Sequence, residues 1–411
     1  MIAIEPLACA DPLALLGLES ELQHRFLVWD AWTAGKRRVD LHPFVLAEAD
    51  HRRAIATATA AWELVAGAAD RAAADPTERA LYKLHPDVER LAAAARHAGD
   101  RTSVVRVDLL LRTDGTWVAC EVNADCPGGY NETLALPLLS RRAGARRALR
   151  DPTDVATRLA DHLVAVSGGP GSPKGLVALA YATSYSEDLQ VCAILEKLVR
   201  ERGGRTVRLA PTQLSACGAG VGHRGEPIAV MYRFYPLESL PGQKNLDAIV
   251  RATAFGALAS LSSFAVIHAQ SKLAMARADA NTIFPDTHAF AAIGRARLLA
   301  ERARWVVKRD LSRVGDHVFV GALLGDEEWA EILLEIEAAE RDLAAVWIAQ
   351  AFVPQHPLPT PWGDRLVTLG AYLIVDERAA QFAGYFTRIS PTSHCSHDAL
   401  VLPTFYLEAD T

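Results

Sequence analysis

The chain has 411 residues, 50% of them apolar and 22% charged, which is long enough to bury a full core in two or three subdomains. A net charge of −6 argues against general affinity for nucleic acid, which needs a surplus of Lys and Arg on one face. The longest apolar stretch, residues 255 to 269, is broken by Ser260, Ser262 and Ser263 and falls short of the ~20 residues that cross a bilayer, so no membrane partner is expected either.

The first residues, Met1-Ile-Ala-Ile-Glu-Pro-Leu, lack a basic n-region, and Asp11-Pro12 soon interrupts the apolar stretch, so a signal peptide is not expected. Six cysteines (Cys9, Cys120, Cys126, Cys192, Cys217, Cys395) without a CxxC pair predict reduced thiols in a cytoplasmic protein. Two basic runs, around Lys36–Arg38 and Arg141–Arg147, read as solvated faces.

From 50 to 98 the chain is Ala-rich, and Ile55, Ala58, Trp62 and Val65 recur at helical spacing until Asp75-Pro76 breaks the pattern. This predicts an N-terminal helical region over 1–99. Two β-rich runs come next, Val104–Leu111 and Trp117–Asn123, and the Asp114-Gly115 turn between them predicts a hairpin. Residues i and i+2 of a strand share a face, so Arg106 goes with Asp108 and Glu121 with Asn123. If the two faces coincide, Asp108, Glu121 and Asn123 form a hard-oxygen donor set suited to Mg²⁺, with Arg106 placed to neutralise a phosphoryl group. The plain alternative is a surface hairpin that happens to carry charges. The loop 124–132 favours a site, because Gly128-Gly129 permits close backbone approach to a ligand.

Ser167–Pro173 offers little apolar surface to pack and marks a boundary after a 100–166 segment. Gly175–Ala180 reads as a strand, Ser186–Arg202 as a helix and Thr206–Ala210 as a strand, a pattern that predicts a parallel α/β subdomain over 174–270. In 271–411, Trp305–Val307, Val346–Ala349, Leu366–Val375 and Gln381–Ile389 read as strands and Asp326–Leu343 as an amphipathic helix; Ala265–Ile267, just ahead of that segment, also reads as a strand. Lys272 and Lys308, each beside such a strand, are compact charges suited to phosphate oxygens. The loop 312–320, with Gly315, can fold backbone amides over phosphates. Gln350 belongs to a segment read as a sheet edge able to meet an adenine ring, and Arg388 to a closing strand within reach of a transferred phosphoryl group. His394 and His397 lack a second ligand pair for zinc, so residues 394–398 read as a polar loop lining a substrate pocket.

In this order the pieces resemble the glutathionylspermidine synthase family and its circularly permuted ATP-grasp relatives, over residues 100 to 405. The resemblance rests on Arg106-Val-Asp108, Glu121-Val-Asn123-Ala-Asp125-Cys-Pro, Ser271-Lys272, Val307-Lys308 with Gly315, Ile348-Ala-Gln350 with Pro357-Leu-Pro359, and Gly370–Val375 leading to Arg388. It implies an α/β, circularly permuted ATP-grasp fold with a preATP-grasp-like α/β subdomain. Mg²⁺ would lie on Asp108, Glu121 and Asn123, and ATP on Lys272, Lys308, Gly315 and Gln350, with Arg106 and Arg388 stabilising an acyl phosphate. The implied activity is ATP-dependent joining of a small-molecule carboxylate to an amine; Asp125 or Glu132, by nearness to the metal loop alone, would serve as base for the amine. The family's amidase-like domain is not expected, and residues 126–132 and 390–397 depart from its loops, so glutathione and spermidine are not assumed as substrates. Two rival activities share the nucleotide cradle: a small-molecule kinase and a catalytically silent scaffold.

Overall fold

The computed structural model describes residues 2–408 except 8–10, 12, 14–16, 34, 169–174, 280–281, 313–314, 343–344, 377–378 and 396–398. Most of the expected linker at 167–173 and His397 therefore lie outside the described residues.

The Ala-rich region forms the helix Glu48–Ala74. It stops where Asp75 caps the next helix, Pro76–Ala80, by accepting a hydrogen bond from the Thr77 amide at 2.8 Å. A further helix runs Pro86–His97. The first helix buries Ala54, Ala58, Ala61, Trp62 and Val65 against a five-stranded antiparallel sheet. Its strands lie in the order Leu400–Leu402, Ala380–Ser390, Leu366–Val375, Ser103–Leu111 and Trp117–Asn123. The expected hairpin is thus present as the last two strands. Val105, Val107, Leu109 and Leu111 alternate into the helix-covered core, which turns Arg106 and Asp108 to the opposite face.

A second sheet holds the expected strand-helix-strand unit. Leu176–Tyr181 pairs in parallel with Thr206–Leu209 and with Glu226–Phe234, and Ser186–Glu201 is the intervening helix. A third, four-stranded antiparallel sheet runs Thr287–Ala289, Trp347–Ala351, Trp305–Arg309, Val318–Val320. The helix Asp326–Asp342 packs Trp329, Leu333 and Ile336 onto Trp305 and Trp347 of that sheet.

Four sequence expectations change. Ala265–Ile267 is not a strand: Phe264–Val266 is a 3₁₀ turn and Ile267–Gln270 a helix, with the Ser263 hydroxyl accepting from the Ala265 amide at 3.1 Å as its cap. A short apolar run has no period to separate a strand from a buried helix, and here the capping serine decides. Lys272 accordingly sits at a helix start, not beside a strand. Gln350 is not on an edge, since its strand is paired on both sides. Asn131 and Glu132 belong to the helix Tyr130–Arg142 and are buried. Among the described residues no helix is long and apolar enough to cross a membrane.

Candidate active-site cleft

The register of the hairpin builds the first wall of the site. Leu111 pairs with Trp117 and Leu109 with Ala119, alignments that would set Asp108 opposite Cys120. The register shifts there, and Cys120 becomes an extra, bulged residue. Asp108 then pairs with Glu121 and Arg106 with Asn123. Directly paired residues share a face, so the bulge puts all four polar side chains on the same side of the sheet.

Arg106 donates through Nε to Asp108 Oδ1 (2.7 Å) and through Nη2 to Oδ2 (3.1 Å), while Arg388 Nη2 reaches Oδ2 at 2.8 Å from two strands away. Asn123 Nδ2 donates to the same oxygen at 3.4 Å, which leaves its carbonyl oxygen as a donor for a cation. Gly370 lies on the strand between these partners. A Cβ there would stand 2.8 Å from Arg106 Cδ and 3.1 Å from Asp108 Oδ1, so only glycine leaves room for the pair. Burial opposes the charge on Asp108, but Arg106 and Arg388 outweigh it and hold the carboxyl at about 2.

The third sheet supplies the facing wall. Lys308 Nζ donates to Gln350 Oε1 (2.7 Å) and, across the cleft floor, to the carbonyl of the bulged Cys120 (3.1 Å). Gln350 in turn donates to Thr287 Oγ1 at 3.1 Å. Lys272 Nζ lies 3.0 Å from Glu121 Oε1. Burial works against the Glu121 charge as well, yet Lys272, followed by Lys308, keeps this carboxyl below its ordinary range.

Between the walls is a cleft of about 890 Å³, part of it open to solvent. Arg106, Asp108, Glu121, Asn123, Lys308, Gly315, Gln350 and Arg388 all line it, although they come from widely separated stretches of chain. Apolar side chains, Leu110, Val306, Val318, Val320 and Val353, share the lining with the polar Thr368, Ser393, His394 and Cys395. Gly315, at φ +77°, is the point where the 312–320 loop approaches His394. Counting Lys272 behind Glu121, four cations face two carboxylates, a net of +2 that favours a polyanion.

The remaining expected residues fall elsewhere. Asp125 is fully buried in an ion pair with Arg233 and accepts from the Leu237 amide at 3.1 Å, so it does not face the cleft. Glu132 is buried on its helix with Arg38 at 3.9 Å, and burial pushes its carboxyl up. Nothing in the local sequence singles out Cys120 or Thr368, which reach the cleft through strand register alone.

Two carboxylates and an amide oxygen are hard donors that fit Mg²⁺ when waters and phosphate complete its shell. Among the described residues no three His, Cys, Asp or Glu side chains gather as a metal site, which leaves this mixed set as the candidate. The Arg388 Nε–H is buried and has no partner among the described residues, in keeping with a ligand that supplies one.

No protein-family model and no curated protein sequence matches the chain. Among solved structures it is similar to a glutathione synthetase-like effector from Globodera pallida in its apo form, with a TM-score of 0.60 at 13% identity, covering 97% of this chain and 98% of that one. A further similarity, to a candidate gamma-glutamylcysteine synthetase from Methylobacillus flagellatus, has a TM-score of 0.37 at 11% identity over 78% of this chain and 85% of that one, and carries no weight. The mixed α/β architecture is thus that of a glutathione synthetase-like protein along nearly its whole length.

Proposed function

We propose that the chain is a circularly permuted ATP-grasp ligase that joins a small-molecule carboxylate to an amine, using ATP and Mg²⁺. The carrying observation is the cleft itself: Asp108, Glu121 and Asn123 on one sheet face Lys308 and Gln350 on another, with a surplus of positive charge between them. The glutathione synthetase-like fold and the order of the motifs support the same conclusion. ATP would place its base beside Gln350 and apolar lining residues such as Val306, and its phosphates by Lys308 and Gly315. Asp108, Glu121 and Asn123 would hold Mg²⁺, which when bound neutralises charge on the phosphates.

A substrate carboxylate oxygen attacks the γ-phosphorus and the bond to ADP breaks. The amine then attacks the acyl carbon, phosphate leaves, and the nitrogen loses its proton to solvent or a base. Positioning and charge neutralisation suffice for phosphoryl transfer, and Arg388 with Arg106 is placed to stabilise the anions on either side of it. Asp125 is sealed from the cleft, so the amine's base is sought elsewhere on the cleft wall.

The test is ADP and phosphate release screened against pooled acids and amines. Release that requires both an acid and an amine supports the ligase; phosphate retained on a stable product sinks it in favour of a kinase.

A further inference from the structure

We infer that Lys272 is a positioning residue that locks the candidate metal carboxylate to the strand bearing Lys308, and is not itself a phosphate ligand. This role rests on the nucleotide reading of the cleft. Lys272 Nζ lies 3.0 Å from Glu121 Oε1, 3.0 Å from the Asp310 carbonyl, 3.2 Å from the Ser312 carbonyl and 3.4 Å from Ser312 Oγ. An ammonium has three N–H groups, and four protein oxygens already surround this one. The residue is 2% exposed and does not line the cleft. Lys308, by contrast, lines the cleft with two protein partners among the described residues, which leaves one N–H for a ligand.

The surroundings hold Lys272 in this role from behind. Ser271 Oγ donates to Asp310 Oδ1 at 2.6 Å and the Leu273 amide donates to the same oxygen at 3.2 Å, so residues on both sides of Lys272 are tied to Asp310. Asp310 comes directly after the strand Trp305–Arg309 that carries Lys308. Glu121 belongs to the other sheet. The Lys272 ammonium therefore fixes the spacing between the carboxylate that would hold a cation and the lysine that would hold phosphate. With Oε1 of Glu121 bound to Lys272, Oε2 is the oxygen left for the cation.

A positioning role separates metal-dependent from metal-independent binding of ATP, measured by calorimetric titration of the full chain in EDTA and in Mg²⁺. Partners that orient a metal ligand contribute roughly 10- to 100-fold to metal affinity, so Lys272→Met is expected to weaken ATP binding about tenfold in Mg²⁺ and less than about twofold in EDTA. Lys308→Met is expected to weaken both. Lys272→Arg keeps the charge but cannot place a planar guanidinium among the same four oxygens, so it shows the same split at smaller size and serves if the Met variant does not fold. Equal losses in EDTA and Mg²⁺, or no loss in either, overturn the inference. A wild-type chain that itself gives no ATP-binding heat in either condition overturns the nucleotide reading instead, whereas loss patterns in the variants bear on the inference only when the wild type binds.

Discussion

Two Asp–Arg groups leave the same hairpin and have opposite characters. At Asp108 the carboxylate meets two guanidiniums at the wall of an open cleft, where positive charge is in excess. At Asp125, two residues past the end of the hairpin, Arg233 meets the carboxylate with both side chains 0% exposed, and Leu237 supplies a further donor. The second group fastens the parallel sheet, through the strand Glu226–Phe234, to the exit of the hairpin. The same residue types line a candidate site in one place and form a joint in the other; access to the cleft makes the difference.

Breaking the joint should have the largest effect on stability. Arg233→Met strands a buried carboxylate, and removal of one partner from a buried ion pair costs about 3–5 kcal/mol. Urea unfolding measures it; a loss below about 1 kcal/mol would show that the pair does not fasten the sheet to the hairpin. Breaking the site should instead remove function and spare the fold. Glu121→Gln, which keeps a side-chain oxygen for the buried Lys272 ammonium, is expected to lower ATP-dependent turnover by roughly 10²-fold or more, as loss of a main electrostatic group does, with a stability loss well below that of Arg233→Met. Unchanged turnover would remove Glu121 from the candidate metal set.

Gly370→Ala probes the boundary between the two behaviours. Its Cβ must displace Arg106 or Asp108, at a cost of about 1–3 kcal/mol for overpacking, and ATP affinity in Mg²⁺ should fall with stability. A stability loss with unaltered ATP binding would separate the Arg106–Asp108 pair from the site. The smallest expected effect is on pH dependence. Asp108 is held at about 2 against an ordinary 3.8, so its contribution to stability is complete above the unfolded value and disappears as pH falls through about 2. Thermal midpoints between pH 5 and pH 2 should fall less steeply in Asp108→Asn than in wild type; parallel curves would contradict the assignment.

The strands and long helices are legible in the sequence because their periods are local. Leu366–Val375 reads as a strand with the boundaries it has in the fold, and the break at Asp75-Pro76 comes from a cap and a proline that need no tertiary context. Ala265–Ile267 misleads because a brief apolar run suits a strand and a buried helix equally, although Ser263 carries a capping signal. The edge assignment of Gln350 fails because strand neighbours come from distant sequence: Thr287–Ala289 lies about sixty residues upstream.

The sequence by itself determined which polar residues pair along each strand, Arg106 with Asp108 and Glu121 with Asn123, since a strand's period of two is a property of the backbone. It also determined the glycines and lysines available to meet a phosphate. Only the tertiary structure decided that the two pairs face the same way, because a register is set one residue at a time by the partner strand and the Cys120 bulge shifts it. Tertiary structure likewise sealed Asp125 behind Arg233 and surrounded Lys272 with protein oxygens while leaving Lys308 at the cleft. The physical reason is that exposure and hydrogen-bond saturation depend on what packs around a side chain, and those neighbours come from distant parts of the chain.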